Sequence, residues 1–357
     1  MVDRALTFEM KTLTPIWTGD TDRNSAVVQE SGILGSLRFW YEGILRGAGV
    51  FACDPIDNPC PKDEPCGSCQ LFGSTRHARA FRFEVDGLQP IPLSLRFGNG
   101  SNPQTREWLH KTFAWDTDTR TIRGGRRMLW AQLFNMRAVV SARVRQPDFV
   151  TPLLAYTVLT AATEGGIGAK TQNGFGQVKL LQIDGAAANA EAVRSHGDDL
   201  IRAMPQATGE QRERNESPAL FSLTPGRFFS FEWEVSAPFR PNTSIFVPEE
   251  ATALRHLCIP CAFEIRYKDG AGTGLRPALS AQLGPEKAKA ALGGTGSASR
   301  VHVSHLFRET QAQPYHLKVW GDVAHAEVVM QAVIALFPQA RLIRQFRPDV
   351  LPEADGD

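Results

Sequence analysis

The chain has 357 residues, of which 42% are hydrophobic and 22% charged, with a formal net charge of +1; this describes a soluble globular protein of about two domains. Near-neutral charge excludes a protein that holds nucleic acid by bulk basicity, so any such contact has to be local, as in the cluster Arg120, Arg123, Arg126 and Arg127. No charged leader precedes an apolar stretch and no apolar run approaches the ~20 residues that span a bilayer, so a cytoplasmic protein with no membrane contact is expected.

Residues 6–13 alternate as a strand, and residues 32–46 carry Ile33, Leu37, Trp40, Tyr41, Ile44 and Leu45 at helical spacing. That spacing assigns Trp40 to the core rather than to a stacking platform. The polar loop 19–25 between them holds Arg23, a candidate RNA contact placed to reach the same groove as Lys170 and Asn173. Next, Cys53, Cys60, Cys66 and Cys69 crowd one segment among Pro55, Pro59, Pro61, Pro65 and Gly67. Four thiolates so close together in a reducing compartment read as a structural zinc knuckle within an insertion at 51–75. Two of the spacings exceed the usual x2 to x4, which leaves free thiols or a redox pair as alternatives.

Residues 80–85 and 93–97 alternate with period 2 across a Gly and Pro turn and read as a hairpin. An Arg- and Trp-rich excursion at 104–130 precedes a strand at 138–144, an apolar helix at 152–163 and a strand at 177–183. The order is βαββαβ with insertions. Between that last helix and strand, Gly165, Gly166, Gly168, Gly174 and Gly176 allow positive φ and close approach to a ligand, while main-chain N–H groups, Lys170 and Asn173 offer donors to phosphate. A dinucleotide fold or a P-loop needs strand, loop, then helix; the order here is reversed and argues against both. The same stretch also reads as a long turn that only joins two elements.

Residues 185–217 change character and read as a connecting segment with some helix. After it come strands at 228–235 and 261–267, a helix at 274–283, a hairpin from 300–307 and 316–320, a helix at 324–336 and a strand at 340–346. The first order returns, and Gly274-Leu275-Arg276 echoes Gly35-Ser36-Leu37-Arg38. The expected fold is α+β: two tandem ferredoxin-like (RRM-like, βαββαβ) domains, 1–184 and 218–357, with insertions and a Cys-rich zinc knuckle. Arg38 and Arg276 fall at matching helix starts, where a guanidinium fork can grip RNA phosphate beside free helix N–H groups; an ion pair back to the protein is the alternative for each. Arg300 joins them as a candidate RNA contact, whereas Cys258 and Cys261, with no second pair near, read as a reduced and partly buried pair.

His302 and His305 could serve as a metal-independent ribonuclease pair. On a regular strand they point to opposite faces, so one is expected packed and the other solvated. No G-x-S-x-G elbow occurs, and the cysteines cluster as ligands, which leaves little room for a serine or cysteine nucleophile.

Four blocks carry a resemblance: Thr14-Pro15-Ile16-Trp17-Thr18-Gly19, Gly35-Ser36-Leu37-Arg38-Phe39-Trp40, Cys66-Gly67-Ser68-Cys69-Gln70-Leu71-Phe72-Gly73-Ser74, and the glycine-rich loop 165–176. Together they resemble the RAMP superfamily of CRISPR antiviral defence proteins, nearest to the first-numbered subunits of Cmr (type III-B) effector complexes. The resemblance implies tandem ferredoxin-like folds and cytoplasmic assembly with other RAMP subunits on a guide RNA paired to target RNA. It further implies a noncatalytic place capping the complex near the 3′ portion of the guide. Cleavage would belong to partners, and the paired carboxylates that metal-assisted nucleotide cyclisation needs are absent from this sequence. The alternative within the same superfamily is a metal-independent guide-processing endoribonuclease.

Overall fold

The chain folds around two main antiparallel sheets reached by the same route, with three two-stranded pairs beside them among the described residues. The computed structural model describes residues 3–19, 25–54, 57, 59–61, 63–92, 94–97, 115–116, 121–122, 127–141, 147–217, 220–224, 226–235, 243–246, 262, 265–266, 274–293, 299–310 and 312–346. The first sheet begins with β1 (Arg4–Thr12), followed by α1 (Glu30–Gly47), α2 (Gly67–Phe72) and β2 (Phe81–Asp86). An excursion of short strands follows, namely β3 (Gln89–Pro92), β4 (Ser94–Phe97), β5 (Trp115–Asp116), β6 (Thr121–Ile122) and β7 (Arg127–Trp130). Then β8 (Phe134–Val140), α3 (Pro147–Glu164), β9 (Val178–Ile183) and β10 (Ala186–Ala187) complete the sheet in the order β10-β9-β1-β8-β2. Alternation decides its faces: Leu6, Phe8 and Met10 of β1 and Phe134, Met136, Ala138 and Val140 of β8 are buried with α1 and α3, while Arg137 and Glu84 pair on the other, open face.

Two helices, α4 (Ala190–Arg202) and α5 (Glu210–Asn215), lead to the second sheet. It is built from β11 (Phe228–Val235), β12 (Thr243–Phe246), which pairs away with β4, then α6 (Leu275–Leu283), α7 (Pro285–Leu292), β13 (Val301–Val303), β14 (Tyr315–Asp322), α8 (Ala326–Leu336) and β15 (Arg341–Phe346). Its order is β13-β14-β11-β15. Numbered within each half, both sets of four strands therefore run fourth, first, third, second. Phe229, Phe231, Trp233 and Val235 face the second core. The opposite face of this sheet is not open: Phe228 and Trp320 belong to the first core, and Lys318 reaches the carbonyl of Ala162 at the end of α3.

Several expectations are corrected. Residues 80–85 and 93–97 do not form a hairpin, because β2 pairs with β8 and β4 pairs with β12; alternation marks a strand but not its partner. The strand expected at 138–144 lies at β8, where Phe134, Met136, Ala138 and Val140 set the buried period. Within the stretch expected as the strand 261–267, Ala262, Ile265 and Arg266 are helical, and their i, i+3, i+4 spacing buries all three. The connector carries helix as expected, in the 13-residue α4, whose Gly197 lies against the Tyr156 ring of α3. Arg23, Arg120, Arg123, Arg126, Cys258 and Cys261 lie outside the described residues. Among the described residues no helix is long and apolar enough to cross a membrane.

Candidate metal centre and nucleic-acid interface

One polar row of α1 organises the cysteine segment. Arg38, Glu42 and Arg46 are spaced i, i+4, i+8 and share a face. Glu42 accepts from Arg38 Nε at 2.7 Å, Ser68 Oγ at 3.1 Å and Arg46 Nη2 at 3.5 Å. Arg46 also donates to the carbonyls of Cys53 at 3.0 Å and Phe221 at 2.9 Å, while Arg38 donates to the Gly73 carbonyl at 2.6 Å and to Cys69 Sγ at 3.5 Å. The two arginines thus hold both ends of the cysteine loop. Burial alone would lower the Arg38 pKa, but Glu42 and Cys69 beside it raise it.

Cys53, Cys60, Cys66 and Cys69 are all buried, and their sulfurs lie within 4.8 Å of one another. Cys53 Sγ and Cys69 Sγ are 3.5 Å apart. A tetrahedral centre with metal–sulfur bonds of ~2.3 Å sets its sulfurs ~3.8 Å apart, so the four thiols are spaced to close on one ion. Hydrogen bonds with Cys53 and Cys69 hold the Cys66 thiol far down, and hydrogen bonds with Cys66 and Cys69 push Cys53 up. The N–H of Cys53 points at Cys66 Sγ (3.5 Å) and that of Cys66 at Cys60 Sγ (3.3 Å), a donor shell suited to thiolates. These four cysteines could hold a metal ion, and with four protein ligands no position is left for catalysis.

The glycine-rich loop is packed between the halves. Gly168, Gly174 and Gly176 take φ of +92°, +98° and +81°. Ile167 N donates to Gly176 O and Gly176 N to Pro15 O, both at 2.8 Å, and Ala169 N donates to Trp17 O at 2.6 Å. From the second half, His305 N donates to Gly174 O at 3.3 Å and the buried Arg266 guanidinium donates to Gln172 O. Trp40 is buried, as its spacing implies, with Nε1 2.9 Å from Gly166 O and its ring centroid 5.2 Å from that of Trp320.

Beside the loop lies a charged joint. Glu164, only 1% exposed, accepts from Arg344 at 2.6 Å and Arg194 at 3.0 Å; Arg344 reaches Glu232 at 3.3 Å, and Glu232 pairs with His316 at 2.9 Å. Against the pull of burial, the His316 hydrogen bond with Lys318 and Arg344 holds Glu232 down to about 2. Lys318 is pushed down to about 8 by burial.

The candidate RNA contacts sit on separate elements. Lys170 adopts φ +57°, with its ammonium 3.7 Å from the centroid of the Trp17 ring, and Asn173 N donates to Lys170 O at 2.9 Å, so this pair lies together. Arg38 is more than two turns inside α1, because the helix begins at Glu30; no free helix N–H adjoins it. Its match with Arg276 lies in what each holds: Arg276 donates to Gly293 O at 2.6 Å, as Arg38 does to Gly73 O, and both glycines end a short second helix. Arg300, half exposed, faces Asp322 at 3.7 Å.

Both expected faces of the histidine pair are covered. His302 stacks on Trp320 at 3.7 Å with Nδ1 3.0 Å from Thr171 Oγ1, and His305 is fully buried against Phe175. Desolvation lowers each to about 3. Strand alternation did not apply because β13 stops at Val303, two residues short of His305. Sequence reasoning missed Glu42 and Arg46, whose signal is the i, i+4 ladder, and the run Arg76, His77, Arg79 and Arg82, whose signal is cations with no intervening acid.

Residues 9–179, the segment that holds the cysteine cluster and the glycine-rich loop, match the RAMP superfamily. No protein of curated function matches the chain. Among solved structures, Cmr1 from Pyrococcus furiosus in its apo form is similar over 89% of this chain and 88% of its own, at 14% identity and a TM-score of 0.41. A chain of the Type III-B Cmr-beta complex bound to cognate target RNA is similar over 94% of this chain and 100% of its own, at 12% identity and a TM-score of 0.45. In that complex with target RNA, AMPPnP and ssDNA, the corresponding figures are 93%, 99%, 10% and 0.46.

Proposed function

We propose that the protein is a noncatalytic, RNA-binding structural subunit of a type III-B CRISPR ribonucleoprotein effector. It assembles in the cytoplasm with other RAMP subunits, capping the complex near the 3′ portion of the guide RNA and helping to hold guide and target RNA. The observation that carries this reading is the RAMP match over residues 9–179, which contains all four residue blocks. The repeated βαββαβ route and the strand order shared by both sheets support tandem ferredoxin-like domains on either side of residues 185–217. Four buried thiols with soft donor character favour zinc as the ion of the cysteine centre, in a structural role. Contacts to phosphate would make binding largely independent of RNA sequence.

Affinity purification of the tagged chain from its native host, with mass spectrometry and RNA sequencing, tests the reading. Recovery with RAMP subunits and a short guide RNA is expected; recovery alone, without RNA, defeats it. For zinc, elemental analysis after gentle purification is expected to give about one equivalent per chain, and a metal-free chain that keeps its full thermal stability would remove zinc from the account.

A further inference from the structure

Most of the cations expected to meet RNA are engaged within the fold. Arg38 and Arg276 donate to backbone carbonyls, Arg300 faces Asp322, and Lys11 and Lys179, directly opposed on β1 and β9, share Glu309 at 3.9 and 2.7 Å. Arg137 is paired with Glu84 and Arg4 with Asp148. A different segment stands out: residues 74–82, with Arg76, His77, Arg79 and Arg82, carry no acid in a chain whose net charge is +1. Arg76, Arg79 and Arg82 are exposed, and of the three Arg82 pairs with Asp3 at 3.5 Å.

The turn that displays them is built rather than loose. Ser74 N donates to His77 O at 2.9 Å and His77 N returns to Ser74 O at 3.2 Å, which places Thr75 and Arg76 at the tip. Ser74 Oγ accepts from Arg76 N at 3.3 Å and contacts His77 Nδ1 at 3.0 Å. Arg79 lies over the Phe81 ring at 5.4 Å, and its Nε donates to Phe81 O at 2.7 Å, so its plane is oriented with no ion pair to an acid among the described residues. The stem is anchored to the cysteine centre: Gly73 N donates to Cys69 O at 3.0 Å, Ala80 N to Leu71 O at 3.1 Å, and Arg38 grips Gly73 O. At φ +80°, a Cβ on Gly73 would lie 2.9 Å from Arg79 N and 3.0 Å from His77 O, so the glycine lets the two strands of the turn approach.

We propose that this turn, at residues 74–79, is where the chain contacts the phosphate backbone of single-stranded RNA, through Arg76 and Arg79. Arg38 is then a positioning residue that ties the turn to the cysteine loop. The inference rests on the RNA-binding reading above and names its site. A guanidinium fork suits phosphate oxygens, and a rigid turn loses little entropy on binding.

The test is fluorescence anisotropy of the full chain with labelled, unstructured single-stranded RNAs of two unrelated sequences, at 50 to 200 mM salt. The Arg76→Ala/Arg79→Ala double variant is expected to lose about tenfold or more in affinity for both RNAs, with its thermal midpoint unchanged. Its log–log salt slope should be shallower by ~1.4, for two single-strand phosphate contacts. Arg38→Ala should weaken binding in the wild-type background but add nothing to the double variant. Unchanged affinity and slope in the double variant, where the wild-type chain binds, overturn the site and leave the RNA-binding reading standing. An additive Arg38→Ala loss overturns its positioning role, and absence of binding by the wild-type chain at 50 mM salt overturns the RNA-binding reading and this inference with it.

Discussion

A Cβ on Gly174 would lie 2.6 Å from Ala262 Cβ and 2.8 Å from His305 N, on a backbone at φ +98°. Gly174→Ala therefore meets both strain and collision, and urea unfolding should show a loss of at least about 2 kcal/mol. Gly185, at φ +77° with nothing within 4 Å, carries the strain alone, so Gly185→Ala should cost about 1 kcal/mol. The glycines of this loop announced close approach in the sequence; that the approaching group is the other half of the same chain was not visible, because glycine reports room and φ but not the neighbour. The buried histidines give a second residue-scale prediction. His305 is neutral in the fold down to about 3 but titrates near 6.5 when unfolded, so between those values the unfolded chain binds the extra proton and stability falls as pH drops. The loss should reach about 2 kcal/mol at pH 5 from this imidazole alone. Glu232, held near 2 against an ordinary 4.5, adds stability above pH 4.5 that fades as pH falls toward 2. Urea midpoints measured from pH 7.5 to 4 should slope downward, and His305→Phe should flatten the upper part of that slope.

Among the elements, α1 shows what periodicity reveals and what it conceals. Its apolar stripe was legible from Ile33, Leu37 and Ile44, β1 was legible from alternation, and strands at β9, β11 and β15 were expected close to where they lie. Its start was not, since Gly35-Ser36 reads as an opening while the helix runs through both from Glu30. Strand partners were hidden for a similar reason: β2 and β4 are close in sequence, yet the pairing is decided by β8 and β12 far along the chain. The cysteine cluster was fully visible in spacing, but the α1 ladder that holds it was not, because charged residues at i, i+4 usually mark a solvated face. Glu42 is 8% exposed and stands between two guanidinium groups. Glu42→Gln removes the one negative charge from this row and leaves Arg46 buried without it, which should cost about 3 kcal/mol. Thermal melting should show that loss, and on the zinc reading proposed above elemental analysis should show less metal per chain; a metal content equal to the wild-type chain's in the destabilised variant would separate the ladder from the cysteine cluster.

For the whole molecule, the decisive feature is that the second sheet spends its non-helical face on the first half. Trp320 sits on β14 yet packs 5.2 Å from Trp40 and 6.3 Å from Phe228, within the core beneath α1. Next to it, Lys318 and Arg344 donate to the carbonyls of Ala162 and Thr163, supplying cations at the C-terminal end of α3, where the helix dipole is negative. Two halves joined through a shared aromatic core and a buried ionic joint should unfold together rather than in turn. Truncating Trp320 to Ala opens a cavity in the first core from a position in the second sheet, with an expected cost of about 3 to 5 kcal/mol. Guanidinium unfolding followed at once by far-UV circular dichroism and by the fluorescence of the remaining tryptophans, which lie in both halves, should then shift as a single transition. If the halves were independent, the two probes would separate and the signal of one half would stay at its wild-type midpoint; coincident curves at a lower midpoint are what the shared core requires.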